Sequence, residues 1–503
     1  MKTTEISAQA IAAVPVQFAF HYKVMPVSIK NGILTLAASC PMDLSVHDGL
    51  QLIWSGKVNM VTASEDDIIH AIRKYYGLGA ETIDAMMGSY KTTGQEGLAT
   101  PDIAELNSEA SIAKFLNQVF CEAYQKRATD IHIEPFESEL KIRFRIDGTL
   151  VDMDMPKNIW HFRDAVTSRI KIMSHLNIAQ RRLPQDGRFK IRVGGVDVDA
   201  RVSCLPTPNG ESVVIRLLSS EKLYGTEELG LSREACALFN GLIRRPHGMI
   251  FVTGPTGSGK TTTLYCCLSR VLDGEKKVIT IEDPIEYLIK GVVQLQVNSR
   301  IGFTFASGLR SMLRHDPDIM MVGEVRDLET ARIAVQAALT GHLVFSTLHT
   351  NDAAGGITRL LDMGVEPYLI SSSVEAFIAQ RLVRRICPDC KKEITVSAQT
   401  LREMGFPAED DAVVYEGEGC PSCGLTGYRG REAIFEFLVM DEEIRGLIAG
   451  KSAASVIQQA AFRAGMTSLL QDGWRKIRQG ITTLSEVVRV TKNDGAESVE
   501  RKI

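Results

Sequence analysis

Between residues 229 and 383, short uninterrupted apolar runs alternate with longer segments whose apolar positions recur every three or four residues. The runs are "MIFVTG", "KVITIED", "DIMMVGE" and "HLVFSTL". Apolar runs bounded by turn residues read as strands buried on both faces, and their alternation with helical periodicity predicts a parallel sheet covered by helices. A ligand of such a sheet sits at the carboxyl ends of its strands.

Upstream, the pattern changes. "GILTLAA" and similar short runs are followed by "SEDDIIHAIRKYYG", where Ser64 reads as an N-cap and Ile68, Ile69, Ile72 and Tyr76 share a helix face. This predicts a small α+β domain over 1–77. A stretch rich in Gly, Thr and acidic residues, 78–108, reads as a flexible linker. Over 109–218 a second α+β domain is expected. Ile112, Phe115, Leu116, Val119, Phe120 and Ala123 form a helical stripe, "TDIHIEPF" and "LKIRFRIDGTL" alternate as strands, a helix runs from about Trp160 to His175, and "RFKIRVGGVDVDARVSC" reads as a hairpin turned at Gly194 and Gly195. A short polar hinge (219–228), the α/β domain (229–383), a cysteine-rich module (384–432) and a helical region (433–503) complete the expected order.

Composition narrows the classes. The 503 residues are 45% hydrophobic and 23% charged with a net charge of −4, so no basic field advertises a nucleic-acid partner. No apolar run approaches the roughly 20 residues of a membrane span, and "MKTTEISAQAIAAVPVQ" lacks the pattern of a secretory signal. A cytoplasmic protein is expected. Six cysteines (Cys40, Cys121, Cys204, Cys236, Cys266 and Cys267) are scattered like reduced thiols; four are grouped.

The strongest chemical signal is "GPTGSGKT": Gly254, Pro255, Thr256, Gly257, Ser258, Gly259, Lys260 and Thr261, followed by Thr262. Glycines let successive backbone N–H groups turn toward phosphates at a helix N-terminus, Lys reaches the terminal phosphates, and the Thr hydroxyl holds magnesium. The spacing predicts binding of ATP or GTP. Phosphoryl transfer also needs carboxylates and positive charge. "ITIEDPIEY" supplies Glu282, Asp283 and Glu286, and Glu324 follows the apolar run "IMMVG". Asp283, before Pro284, serves equally well as a helix-capping acid. His342 and His349 flank the run "LVFSTL" and are candidates to sense the terminal phosphate.

In this order, "GPTGSGKT", "ITIEDPIEY", "IMMVGEVRD" and "TGHLVFSTLHT" resemble the Walker A, Asp, Walker B and His boxes of the secretion ATPase superfamily. "ATDIHIEPF", "RLPQDGRF" and "RVSCLPTPNGESVVIRLL" resemble the domain preceding that motor, so the likeness covers about 108–491. It implies a RecA-like phosphate-loop core in a multidomain α/β chain, working as a homo-hexameric ATP hydrolase with Mg2+. By position Arg201 and Arg216 match arginines that the preceding domain brings to the phosphates, and Arg310 and Arg314 match motor-domain arginines. Glu286 matches the glutamate proposed to activate water, and Glu324 the acid near magnesium.

Cys387, Cys390, Cys420 and Cys423 form two C-x-x-C pairs, which read as one structural zinc site, with disulfides as the alternative. Type II secretion and type IV pilus assembly ATPases carry such a module, and retraction-type pilus ATPases generally lack it. Some pilus relatives bind cyclic di-GMP near the N-terminus through repeated Leu- and Gly-containing motifs. No convincing copy stands here, which favours type II secretion over pilus assembly. The resemblance also implies docking on inner-membrane assembly proteins through the N-terminal domain. A nucleic-acid motor and a non-hydrolysing ATP-binding scaffold are the rival classes; the acidic balance opposes the first, and Lys260, Glu286 and Glu324 oppose the second.

Overall fold

The computed structural model describes residues 6–39, 46, 50, 53–77, 79–80, 82–83, 103–219 and 225–491. Most of the expected linker and residues 220–224 of the expected hinge lie outside the described residues. The chain divides into two compact units, Met1–Ser220 and Glu221–Ile503.

Among the described residues, the first unit contains two sheets. β1 (Val24–Lys30) and β2 (Ile33–Ala38) form a hairpin, and β3 (Lys57–Thr62) runs parallel to β2. The helix Glu65–Tyr76 begins where the Ser64 hydroxyl accepts the Asp67 N–H at 3.2 Å. Ile68 and Ile72 are buried in this core, Tyr76 packs at its margin, and Ile69 is partly exposed.

The second sheet comprises β4 (Ala128–Pro135), β5 (Leu140–Ile146), β6 (Thr149–Asp152), β7 (Gln185–Val193), β8 (Val196–Thr207) and β9 (Gly210–Ser219). Its order is β6-β5-β4-β9-β8-β7, antiparallel throughout. Period-two alternation puts Ile131, Ile133, Phe144, Val202 and Ile215 on the core face, against the predicted stripe of the helix Ile103–Gln125. Gly194 and Gly195 turn the β7–β8 hairpin as expected. The helix expected from Trp160 starts instead as a 3₁₀ turn, Lys157–Phe162, and becomes α-helical over Arg163–Met173.

In the second unit, β10 (Gly248–Thr253), β11 (Val278–Glu282), β12 (Val293–Gln296), β13 (Ile319–Val322), β14 (Leu343–Leu348) and β15 (Val374–Ile386) are parallel. Between β15 and the edge strand, the chain makes a two-stranded excursion, β16 (Lys391–Val396) with β17 (Ala412–Gly417). It then returns as β18 (Tyr428–Val439), antiparallel to β15. The sheet order is β12-β11-β13-β14-β10-β15-β18. β10, β11, β13 and β14 are buried at every position, as their uninterrupted apolar runs require. The sheet thus continues through residue 439, and the cysteine module is an excursion between two neighbouring strands. The C-terminal helices Glu442–Ala449, Ala454–Arg463, Leu469–Arg478 and Leu484–Thr491 add Ile444, Ile448, Ile457, Ile477 and Val487 to the same core.

Candidate functional site

The loop after β10 is shaped by glycine and closed by lysine. Gly254 and Gly259 hold φ of 151° and 89°, and a side chain at Gly254 would collide with the Ser258 hydroxyl and the Gln380 carbonyl. The helix Lys260–Val271 starts immediately after this turn, with Thr261 exposed in its first turn. The Lys260 ammonium donates to the carbonyls of Gly254 at 2.8 Å and Pro255 at 3.0 Å, so it lies across the loop. Burial pushes this amine down to about 8; Glu324 opposes the shift and Arg381 adds to it.

The carboxylates divide by environment. Glu282, buried at the end of β11, accepts the Tyr265 hydroxyl, the Thr280 hydroxyl at 2.6 Å and the Gln294 amide at 3.1 Å. A buried acid so supplied with donors ties β11 to the phosphate-loop helix and its neighbours. The Tyr265 hydroxyl in turn accepts the backbone N–H of Glu286 at 3.2 Å, fixing the loop that carries that half-buried glutamate. Burial and the Glu282 carboxylate raise the Tyr265 hydroxyl far above its ordinary range, so it stays a donor.

Glu324 follows β13, its side chain 13% exposed, and pairs with Arg326 and with His349, whose Nε2 lies 3.3 Å from Oε2. His349 stands at the carboxyl end of β14, beside the phosphate loop: the Gly254 N–H donates to the Leu348 carbonyl at 3.2 Å. The other histidine is at the opposite end. His342 precedes β14, its Nδ1 2.9 Å from the Ala337 carbonyl and 3.3 Å from the Thr340 hydroxyl. Strand geometry separates the two by roughly 20 Å, so within one chain only His349 joins the carboxylate.

The four arginines divide between the two units. Arg201 and Arg216 are cross-strand partners on β8 and β9 of the first unit. Arg310, on the helix Phe305–Met312, pairs with Glu329, and Arg314 donates to the Arg310 carbonyl at 2.9 Å and the Ser311 hydroxyl at 3.2 Å.

Two site residues escaped the sequence reading. Gln380, fully buried in β15, accepts the Thr263 hydroxyl at 2.7 Å, and Arg381 donates to the Asn351 carbonyl at 2.7 Å just after His349. The available signal was a Gln-Arg pair inside the apolar run "VEAFIAQRLV", since buried polar residues require partners.

Away from this site, the sulfurs of Cys387, Cys390, Cys420 and Cys423 converge within 4.8 Å of one another. Cys387–Cys420, Cys390–Cys423 and Cys420–Cys423 are 3.8, 4.0 and 3.7 Å apart. Tetrahedral zinc with bonds of about 2.3 Å requires sulfurs about 3.8 Å apart, whereas a disulfide requires about 2 Å. The donor set fits one thiolate-bound zinc ion. Although burial opposes ionisation, N–H groups of Cys420 and Gly427 directed at Cys423 bring its thiol down to about 6.

The model of the "Type II/IV secretion system protein" family matches residues 105–489, more than three quarters of the chain. The chain belongs to the type II/IV secretion system protein family. Relatives in this family include the "Type IV pilus assembly ATPase PilB" of Myxococcus xanthus, 42% identical over 98% of this chain and 88% of the relative. The "Type II secretion system protein E" of Xanthomonas campestris is 43% identical over 96% and 85%. The "Type II secretion system ATPase E" of Vibrio cholerae is 47% identical over 82% of each chain. With its complete phosphate loop, this family member is an ATP hydrolase. The solved structure of the Legionella pneumophila ATPase DotB shares the fold, with a TM-score of 0.57, 23% identity and coverage of 75% of this chain and 95% of that one.

The MshEN domain matches residues 2–82. The N-terminal segment is therefore a recognised domain. No helix among the described residues is long and apolar enough to cross a membrane.

Proposed function

We propose that this ATPase drives assembly of a pilin-like filament at the inner membrane for type II protein secretion. The carrying observation is the loop 254–261 with Lys260 laid across it and the Glu324–His349 pair at the neighbouring strand end. ATP occupies the loop, with its phosphates on the backbone N–H groups and Lys260. The Thr261 hydroxyl and Glu324 hold Mg2+, which neutralises phosphate charge when bound. Glu286 orients the attacking water, His349 senses the terminal phosphate, and Arg201, Arg216, Arg310 and Arg314 supply positive charge to the transition state. The tetracysteine centre holds Zn2+ in a structural role. The working assembly is a homo-hexamer, docked on inner-membrane assembly proteins through the N-terminal domain.

A second reading, type IV pilus assembly, is favoured by the match to the Myxococcus enzyme along 98% of the chain. Deleting the gene and restoring it with wild-type or Lys260→Ala copies separates the two. Loss of secreted proteins with intact pili supports type II secretion, and loss of pili with intact secretion supports the second reading. Native mass of the purified chain with a non-hydrolysable ATP analogue tests the hexamer; a monomer under saturating analogue would contradict it.

A further inference from the structure

Two adjacent residues of β15, Gln380 and Arg381, serve opposite faces of the seven-stranded sheet. Successive side chains of a strand alternate between its faces. Phe377, Ala379 and Val383 belong to the core shared with the helix Ala353–Asp362, whereas Ala376 and Ile378 belong to the core shared with the phosphate-loop helix. Arg381 therefore stands on the first face and Gln380 on the second. Both are buried, Gln380 at 1% and Arg381 at 8% exposure.

On the phosphate-loop side, Gln380 Oε1 accepts the Thr263 hydroxyl at 2.7 Å, in the first turn of the helix Lys260–Val271. A side chain at Gly259 would begin 2.7 Å from Gln380 Nε2, and one at Gly254 would begin 2.7 Å from the Gln380 carbonyl oxygen. Both ends of the loop thus rest against this one residue. On the other side, Arg381 Nη2 donates to the Asn351 carbonyl at 2.7 Å and to Asn351 Oδ1 at 3.2 Å, and Nη1 donates to the Gln380 carbonyl at 3.1 Å. Asn351 lies two residues beyond His349. Glu436, in register with Ala379 and so on the Arg381 face, accepts the Ala353 N–H at 2.9 Å. The segment that follows His349 is held at Asn351 and again at Ala353. A buried guanidinium and a buried amide are costly in a sheet interior unless fixed partners receive them, and here the partners belong to the phosphate-loop helix and the His349 segment.

We propose that Gln380 and Arg381 are a positioning pair for ATP turnover with separate tasks: Gln380 sets the phosphate loop against the first turn of its helix, and Arg381 sets the segment 349–351 so that His349 faces Glu324. The Arg381 half rests on the reading of His349 as the sensor of the terminal phosphate; the Gln380 half does not. Both residues act through others. Because they are neighbours on one buried strand and share the Gln380 carbonyl, the two segments keep a fixed mutual geometry.

The test uses the full-length chain, its metal content verified, with steady-state ATP hydrolysis, binding of a non-hydrolysable ATP analogue and thermal unfolding measured together. Gln380→Leu weakens analogue binding and raises KM about tenfold with kcat within a few-fold of wild type, and the nearly isosteric Thr263→Val moves the same quantities in the same direction. Arg381→Gln lowers kcat about tenfold with analogue binding within a few-fold of wild type, and Arg381→Lys recovers part of the loss. In a His349→Ala background Arg381→Gln has no further effect, because it acts through that residue. A purely structural role would move the unfolding midpoint and the same kinetic parameters in both variants. Equal losses of binding and kcat in Gln380→Leu and Arg381→Gln would therefore overturn the division of tasks, and wild-type kinetics in either would overturn that half. An additional loss from Arg381→Gln on top of His349→Ala would overturn the route through His349. Should Gln380→Leu fail to fold, Thr263→Val decides its half. Should Arg381→Gln fail to fold, Asn351→Ala, at an exposed residue, decides the other: lower kcat with unchanged binding supports it, and wild-type kinetics overturn it. If His349→Ala itself turns over ATP at the wild-type rate, the reading of His349 falls and takes the Arg381 half with it, while the binding data still decide the Gln380 half.

Discussion

His349 Nε2 lies 3.3 Å from Glu324 Oε2, joining the carboxyl ends of β14 and β13 beside the phosphate loop. The contact links two sequence boxes separated by a helix, and it distinguishes the surroundings of the two histidines. His349 reaches Glu324 from the carboxyl end of β14. His342 caps the turn before β14.

Substitutions should separate these roles. His349→Ala lowers kcat about 10- to 100-fold with little change in KM, the scale of a lost catalytic interaction. His342→Ala keeps kcat within a few-fold and costs about 1 kcal/mol of stability, the worth of a typical hydrogen bond. Steady-state kinetics and denaturant unfolding of both variants check this; the reverse pattern would reject it.

Lys260 makes nucleotide affinity pH-dependent. Its buried amine titrates near 8, and bound phosphates raise that value, so binding takes up a proton between the free and bound values. Affinity is therefore flat below about pH 8 and falls as pH rises beyond it, by up to about tenfold per unit. Calorimetric titration with ATP from pH 7 to 9.5 measures the slope. In Lys260→Arg, whose guanidinium stays charged, that fall disappears.

The cysteine centre should brace the nucleotide site as well as its own loop. β15 carries Gln380 and Arg381 and leads into Cys387, while β18, which follows Cys423, carries Glu436, whose carboxylate accepts the Ala353 N–H at 2.9 Å. One zinc ion per chain is expected by elemental analysis. Cys390→Ser or Cys420→Ser lowers metal content, the unfolding midpoint and ATP turnover together. Full turnover in a metal-free protein would contradict the coupling.

Acid should release the last helix. Burial pushes the Glu486 carboxyl up, but hydrogen bonds from Arg489 and Arg384 outweigh it and hold the group down to about 2, below its ordinary 4.5. A depressed carboxyl stabilises the fold fully above its unfolded value, and that stability is lost as pH falls from about 4.5 toward 2. With its side chain 1% exposed, Glu486→Gln costs about 3 kcal/mol at pH 7, because Arg384 and Arg489 lose their counter-charge. It also flattens the acid limb of the stability profile, measured by unfolding between pH 2 and 7.

The buried sheet was legible because strands covered on both faces leave uninterrupted apolar runs, and the phosphate loop because its glycines and lysine stand at fixed spacing. The C-x-x-C pairs likewise announced their cluster. Period-two and helical patterns stop short of register. Arg201 and Arg216 were separate letters until β8 paired with β9. Nor could local pattern place β18 beside β15, since the pairing spans a long excursion and is decided by tertiary burial. Gln380 and Arg381 were hidden for the same reason, lying in one segment and acting in another.

The central claim is ATP turnover at this loop, and phosphate release by wild type, Lys260→Ala and Glu286→Gln under identical assembly conditions tests it most directly. The account predicts steady release by wild type, lost binding and turnover in Lys260→Ala, and retained binding with turnover lowered at least about 100-fold in Glu286→Gln. Wild type that binds ATP without releasing phosphate while fully assembled, or a Glu286→Gln variant at wild-type rate, would contradict it.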